Sequence, residues 1–190
     1  MEEQHIEEVK SFEELNLCKP LIEACVALGW TAPTKLQADS IPHALEGKDI
    51  VVITQAGFGS GTTGAFALPI IEGFLGEKAP QPYFCCVLSP TTELTIQIAE
   101  TFKALGGSFG LRTAVLDCGV NMASLVDTLG GPPHIVVGTP QCLENHLTYT
   151  EGFSLSALKY LVLNRLWKGA SNASKYASAI QTILHIAPKK

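Results

Sequence analysis

The fold is decided by FCCVLSPTTELTIQIAETFKAL, the stretch that fills residues 84–105. Its first six residues, 84–89, are almost entirely apolar and predict a short buried strand. The adjacent pair Thr91 and Thr92 predicts the cap of a helix that continues to residue 105. A strand that is apolar on both faces is typical of a parallel sheet with helices packed on both sides. This stretch therefore predicts an α/β fold.

The same alternation of strand and helix occurs along the whole chain. The other predicted strands are 49–54 (DIVVIT), 113–118 (TAVLDC), 134–138 (HIVVG) and 160–164 (YLVLN). The other predicted helices cover 12–29, 34–46, 63–75, 121–129, 140–147 and 172–186. Apolar strands that alternate with helices predict one parallel sheet of five or more strands with helices on both faces.

Composition and charge narrow the class of protein. The chain has 190 residues, of which 46% are hydrophobic, so it is long enough to bury one large core. Its 18 Asp and Glu outnumber its 13 Lys and Arg, which argues against a strong autonomous nucleic-acid binder. No apolar run reaches the length of a membrane span, so we expect no membrane partner. The polar start, MEEQHIEEVK, predicts a flexible acidic leader over 1–10 before a single domain over 11–188.

The six cysteines favour buried, reduced thiols over disulfides and indicate an intracellular protein. Neither a CxxC pair nor a histidine at ligand spacing accompanies them, so we expect no metal site. Cys85 and Cys86 fall in the middle of a predicted strand, where core packing is favoured over redox chemistry. His134 opens another strand and is expected to be structural, whereas His146 lies on a predicted helix, where we expect it to be solvated or to act as a cap.

Residues 29–49 contain a dense pattern of motif-like positions. It consists of Gly29-Trp30, Pro33-Thr34-Lys35-Leu36-Gln37, Ile41-Pro42 and Leu45-Glu46-Gly47-Lys48-Asp49. This pattern, with Phe12 upstream, resembles the Q motif of DEAD-box RNA helicases. Farther along, GAFALPI at 64–70, SPTTEL at 89–94, Thr139-Pro140 and the segment 152–163 resemble later motifs of that family.

The resemblance covers residues 10–188, and it is specific because the motifs occur in the family's order. It is greatest to the nucleolar type that acts in ribosomal-RNA processing. It implies a RecA-like fold, and it implies that only the first of the family's two RecA-like domains is present. It also implies ATP or ADP and magnesium as ligands, RNA as a partner, and a nuclear or nucleolar location.

Two groups of residues match positions that bind ligands in the family. The nucleotide group comprises Phe12, Gln37, Gly57, Gly59, Ser60, Gly61, Thr62 and Thr63. The RNA group comprises Pro90, Thr91, Thr92, Thr139 and Pro140. Phe12 and Gln37 match the family's adenine-reading pair, but Gln37 is equally well placed to cap the helix over 34–46.

The residues that carry the family's chemistry are replaced. A phosphate loop needs a Lys for the β- and γ-phosphates, and the chain has Thr62 at that position. The family's Asp-Glu-Ala-Asp is replaced by Asn164-Arg165-Leu166-Trp167, which lacks the carboxylates that hold magnesium and orient water. Basic contacts to RNA are missing too, because Thr92 and Cys142 stand at arginine positions of the family.

These losses leave two functions open. The first is a catalytically silent DEAD-box-like domain that works as a fold or interaction module and binds RNA or adenine nucleotide weakly at most. Such a domain has no catalytic residue, because Thr62, Asn164, Arg165 and Trp167 are degenerate positions, and it requires no cofactor. We expect it to be a monomer whose partners are RNA and a protein. The second function is that of the first domain of an ATP-dependent RNA helicase in ribosomal-RNA processing.

Overall fold

The computed structural model describes residues 11–53, 61–119, 121–166, 170–186 and 188. The chain divides into two compact units, Met1–Gly73 and Phe74–Lys190. None of the helices in the described ranges is both long enough and apolar enough to cross a membrane. The expected leader over 1–10 lies outside the described residues, and the single domain over 11–188 stays a prediction.

The first unit is helical. A 3-10 turn, Glu13–Leu15, precedes α1 (Lys19–Ala27), α2 (Lys35–Leu45) and α3 (Thr62–Leu75). The prediction of one helix over 12–29 is wrong, because the chain breaks between the 3-10 turn and α1. Asn16 has a left-handed conformation at the break, and Pro20 has no N–H with which to continue an earlier helix.

The strand predicted over 49–54 is not present in the part of it that the structure describes. Residues 49–53 are in neither a strand nor a helix, and residue 54 lies outside the described ranges. The side chains of Val51 and Ile53 are 89% and 94% exposed. A β-branched run favours an extended backbone, but a strand also needs a neighbour that pairs its N–H and C=O groups. The four described strands of the molecule pair only with one another.

The second unit is built on a parallel sheet, as the apolar strands predict. β1 (Cys85–Leu88), β2 (Thr113–Leu116), β3 (Ile135–Gly138) and β4 (Tyr160–Leu163) lie in the order β2-β3-β1-β4. In the register of the sheet, Cys85 is opposite Ile135 on one side and Tyr160 on the other. The α/β fold is confirmed, with four described strands where the sequence predicts five or more.

A helix follows each strand of this sheet. The helices are α4 (Thr92–Gly106), α5 (Met122–Leu129), α6 (Pro140–Tyr149) and α7 (Ala170–Ile186). Three of them begin at a polar N-cap, Thr91, Asn121 or Thr139, whose side-chain oxygen accepts a backbone N–H of the first turn. These caps therefore stand at the carboxyl edge of the sheet. The core contains large apolar residues that include Leu88, Leu116, Val136, Leu143, Leu155 and Ile183.

Candidate functional site

In the first unit, Gln37 is fixed by hydrogen bonds to two backbone groups. Its Oε1 accepts the N–H of Thr34 at 2.9 Å, while its own N–H donates to Thr34 Oγ1 at 3.3 Å, so the two residues form a capping box at the start of α2. Its Nε2 donates to the carbonyl of Gly61 at 3.1 Å. The capping role is confirmed. The adenine-reading role stays a prediction.

Two glycines allow this close approach of Gln37 to the start of α3. A Cβ on Gly61 would lie 2.4 Å from Thr34 Oγ1, and the residue has a φ of +71°. A Cβ on Gly64 would lie 2.4 Å from Gln37 Nε2 and 2.9 Å from the Trp30 ring. These glycines therefore have a packing reason here, in addition to any role in cradling a phosphate.

The remaining nucleotide-group residues of the first unit are placed as follows. Phe12 is 4% exposed and belongs to the core. Thr62 and Thr63 form the first turn of α3 and are half-buried. Gly57, Gly59 and Ser60 lie outside the described residues, as does Trp167 of the second unit.

In the second unit, Asn164 directly follows β4 at the carboxyl edge of the sheet. Its backbone N–H donates to the carbonyl of Leu88 at 2.8 Å, and its Nδ2 donates to Ser89 Oγ at 3.3 Å. The N–H of Ser89 donates in turn to the carbonyl of Gly138 at 3.0 Å. Asn164 and Ser89 are both buried. The position that matches the family's first acidic residue is thus held by a neutral amide bonded to a hydroxyl.

Arg165 follows in a left-handed conformation, with a φ of 56°, and its side chain is exposed. Among the described residues it forms no ion pair with Glu93. The pKa of Glu93 is lowered by hydrogen bonds from its own backbone N–H and from the Thr91 side chain. Asn164 and Arg165 together do not fit magnesium, because an amide brings no charge and a guanidinium repels the cation.

The RNA-group residues of the second unit serve mainly as helix starts. Thr91 Oγ1 accepts the N–H of Leu94 at 3.4 Å and caps α4, and Thr139 Oγ1 accepts the N–H of Cys142 at 3.4 Å and caps α6. Thr91 and Thr92 are exposed, whereas Pro140 is buried. The carbonyl of Pro90 accepts a hydrogen bond from the Tyr176 hydroxyl at 3.2 Å. The capping geometry accounts for both threonines, and their contact with RNA stays a prediction.

A disulfide joins Cys118 to Cys142, so the prediction of reduced thiols throughout is wrong for this pair. Cys118 is exposed in the turn after β2, and Cys142 is buried in the first turn of α6. Residue spacing cannot show the pairing, but both segments leave the carboxyl ends of the adjacent strands β2 and β3. The other four cysteines, Cys18, Cys25, Cys85 and Cys86, are free. Burial raises the pKa of Cys86 to about 12, which suits the predicted packing role.

Two buried histidines have structural contacts. His134 Nδ1 accepts the backbone N–H of Arg112 at 3.1 Å, and its pKa is lowered to about 4 by burial and by the Arg112 charge, so its structural role is confirmed. His146 is also buried, which corrects the expectation that it is solvated. Its Nε2 lies 3.0 Å from the carbonyl of Asp117, and its Nδ1 lies 2.9 Å from Thr150 Oγ1. His146 thereby holds the turn after β2 against α6.

A parallel sheet flanked by helices, with polar caps at its carboxyl edge, is the architecture of an α/β domain of the RecA-like kind. A sequence profile described as DEAD/DEAH box helicase matches residues 34–164. The chain belongs to the DEAD/DEAH box helicase family. A crystal structure of a DEAD box protein from the hyperthermophile Methanococcus jannaschii superposes with a TM-score of 0.77 and 29% identity, over 94% of this chain and 47% of that one.

Its similar relatives are named as RNA helicases, and some of these names specify ribosomal RNA. The ATP-dependent rRNA helicase RRP3 of Yarrowia lipolytica is 42% identical over 97% of this chain and 37% of its own length. The probable ATP-dependent RNA helicase DDX47 of Homo sapiens is 49% identical over 83% of this chain and 34% of its own length. The chain thus spans about a third of the length of the curated relatives it matches.

Proposed function

We propose that this chain is a first RecA-like domain of the ribosomal-RNA-processing type of DEAD-box protein, and that it works as a catalytically silent interaction module. The identity to RRP3, which is named as an rRNA helicase, supports the type. The replacement of charged motif residues supports the absence of catalytic activity. In this proposal the chain consists of a leader over 1–10 and a single domain over 11–188. It binds RNA weakly and binds a protein partner, and it is located in the nucleus or nucleolus.

The observation that best supports a loss of catalytic activity is the pair of residues that follows β4. Hydrolysis of a phosphoanhydride in this family depends on carboxylates that hold magnesium and orient the attacking water. Asn164 instead directs its amide N–H to Ser89 Oγ, and the exposed guanidinium of Arg165 follows it. Neither side chain can accept a proton from water at neutral pH, and neither brings a carboxylate to a divalent cation. Thr62 adds a second loss, since it brings no positive charge to a phosphate.

The family uses ATP and magnesium, but the silent module requires neither. Any adenine nucleotide that binds should bind weakly and without help from magnesium. RNA binding should also be weak and shallow in its salt dependence, because each basic phosphate contact that is lost lowers the salt slope by about 0.7 for a single strand. Thr92 and Cys142 replace two such contacts by the resemblance, and the chain has a net charge of −5.

Calorimetry of ADP binding, with magnesium or with EDTA, tests this function together with an ATPase assay in the presence of RNA. We expect no turnover above background and no tightening of ADP binding by magnesium. The variant Thr62→Lys combined with Asn164→Asp and Arg165→Glu restores the family's charges and should gain magnesium-dependent affinity. Thr63→Lys in place of Thr62→Lys is the matched control, because it adds the same charge one residue along.

The second candidate is the first domain of an active ATP-dependent RNA helicase, and the names and identities of the relatives favour it. Magnesium-dependent ADP binding by the parent chain, or RNA-stimulated turnover comparable to that of an active relative, would establish this candidate in place of the silent module. Low-micromolar RNA affinity near physiological salt, with a steep salt slope, would point the same way.

A further inference from the structure

We propose that Cys118 and Cys142 form a reversible redox pair that controls the order of the turn after β2. The pair ties the β2–α5 connection to the first turn of α6, at one edge of the sheet. Among the described residues this bond is the one covalent cross-link between the turn and α6, so its state changes how firmly the turn is held. No nucleotide or RNA is needed for the exchange.

The two cysteines differ in their exposure to solvent, and this difference indicates which sulfur an incoming thiolate attacks. Cys118 is exposed and Cys142 is 7% exposed, so an incoming thiolate reaches Cys118 Sγ first. Cys142 is the third residue of α6, whose N-cap is Thr139. The partial positive charge of a helix N-terminus stabilises a thiolate there, and a stabilised thiolate leaves faster.

The exchange balances with a small thiol as the reductant. A thiolate RS⁻ attacks Cys118 Sγ, forms a mixed disulfide there and releases Cys142 as a thiolate, which takes a proton from water. A second RS⁻ attacks the mixed disulfide, releases RSSR and leaves Cys118 as a thiolate that is protonated in turn. Two thiols are oxidised to one disulfide, and the protein disulfide gains two electrons and two protons. Oxidised glutathione reverses both steps.

The turn loses its main anchor when the bond opens. Asp117 Oδ1 accepts the N–H of Cys118 at 2.7 Å, but this contact lies within the turn itself. Among the described residues, the hydrogen bond that still joins the turn to α6 is the one between His146 Nε2 and the Asp117 carbonyl. Gly119 is exposed, and a Cβ built on it meets no atom within 4 Å. Such a turn, with few contacts, belongs to the low-stability end of a fold.

Two of the four free cysteines provide an internal control for the chemistry. Cys85 and Cys86 lie in β1 and are completely buried. Burial raises the pKa of both thiols, so they stay protonated and closed to reagents while the domain is folded. A reagent that modifies Cys118 and Cys142 but not these two reports on the folded protein alone.

The test is equilibration of the full chain in glutathione buffers of stepped ratio, followed by alkylation and mass spectrometry. EDTA is included, because Asp117 and the two cysteines lie within 4.8 Å of one another and could hold a metal ion once reduced. We expect Cys118 and Cys142 to change state together while Cys85 and Cys86 remain unmodified and the circular dichroism is unchanged. Reduction that occurs only as the protein unfolds, or a failure of the pair to form in oxidised glutathione, would overturn the proposal.

Hydrogen exchange then measures the effect on the turn. Amides of 117–119 should exchange about tenfold faster or more in the reduced protein, and peptides of β1 should be unaffected. The double variant Cys118→Ser/Cys142→Ser should match the reduced protein, and equal exchange in the oxidised, reduced and double-variant forms would refute control of the turn. In oxidised glutathione, Cys142→Ser should trap the mixed disulfide more than Cys118→Ser does. The reverse preference would refute Cys118 as the attacked sulfur.

Discussion

Two buried carboxamides, Gln37 in the first unit and Asn164 in the second, stand at motif positions, and they are held in different ways. Gln37 is bonded through both ends of its amide to backbone groups, the N–H of Thr34 and the carbonyl of Gly61. Asn164 donates from its side chain to Ser89 Oγ, a hydroxyl that can rotate. The fold therefore requires an amide at Gln37, whereas Asn164 can be replaced at a small cost in stability. The contrast explains how the chain retains the family's fold while its acidic motif is lost.

The largest expected effect comes from Gln37→Glu. The new carboxylate would place an acceptor against the Gly61 carbonyl at 3.1 Å in a site that is 4% exposed, and a backbone carbonyl cannot rotate away. We expect a loss of about 3 kcal/mol in the free energy of unfolding at neutral pH. Urea denaturation measures it.

The pH dependence of that loss gives an independent check. Burial beside a carbonyl raises the folded-state pKa of the introduced carboxyl above its unfolded value of about 4.3. The folded state then retains its proton, so the loss relative to wild type is small at acid pH and grows as the pH rises through the folded pKa. A loss that is equal at about pH 4 and pH 7, or below about 1 kcal/mol throughout, would contradict the architectural role of Gln37.

Gly64→Ala should be the next most costly change. The added methyl group would lie 2.4 Å from Gln37 Nε2 and 2.9 Å from the Trp30 ring, so the amide must give up its bonds or the ring must shift. Overpacking of this kind costs about 2 kcal/mol after the gain in helix propensity. Thermal unfolding measures it.

Gly107→Ala is the matched control, since it has a φ of −61° and a Cβ there meets no atom within 4 Å. It should change stability by less than about 0.5 kcal/mol. Combining Gly64→Ala with Gln37→Ala should cost less than the sum of the two single changes, because removal of the amide relieves the clash. If the losses in stability are strictly additive, then the methyl group at residue 64 does not clash with the Gln37 amide.

Arg165→Gly tests the second region and should act in the opposite direction. Arg165 has a φ of 56°, a conformation that costs a residue with a Cβ about 1 kcal/mol and costs glycine nothing. Its exposed side chain leaves little packing to lose. We therefore expect a gain of about 0.5 kcal/mol after the entropy of glycine in the unfolded chain is subtracted. Calorimetry compares the melting temperature of Arg165→Gly with that of Arg165→Ala, which keeps the Cβ. The difference between the two variants measures the cost of the left-handed backbone, and equal melting temperatures would refute that cost.

The sequence predicts the strand–helix units of the second unit well, because each is a local pattern closed by a cap. The stretch 84–105 yields β1, the Thr91 cap and α4 directly. The run 49–54 shows the limit of such patterns. Its residues favour an extended backbone as strongly as those of β1, but pairing depends on strands far along the chain. Among the described residues, no strand pairs with 49–53.

The candidate site shows the same limit at the scale of single contacts. The capping box of Thr34 and Gln37 spans three residues and could be predicted from sequence. The bond from Gln37 to Gly61 spans 24 residues, as does the disulfide between Cys118 and Cys142, and no periodicity encodes either. The two cysteines come together because β2 and β3 are adjacent in the sheet, and this strand order is not visible in the sequence.

Asn164→Asp makes the same amide-to-carboxylate change as Gln37→Glu, but we expect it to cost much less. The backbone N–H of residue 164 still donates to the carbonyl of Leu88, so the edge of the sheet keeps its ladder bond. Ser89 Oγ, which accepts a hydrogen bond now, can turn and donate to the new carboxylate. We expect a loss of less than about 1 kcal/mol, because a charge-assisted bond offsets most of the cost of burying the charge. Ser89→Ala is the informative background, since it removes the rotatable partner and should make Asn164→Asp markedly more costly. If Asn164→Asp alone costs as much as Gln37→Glu, then the end of β4 is as rigidly specified as the start of α2, and the distinction between the two carboxamides fails.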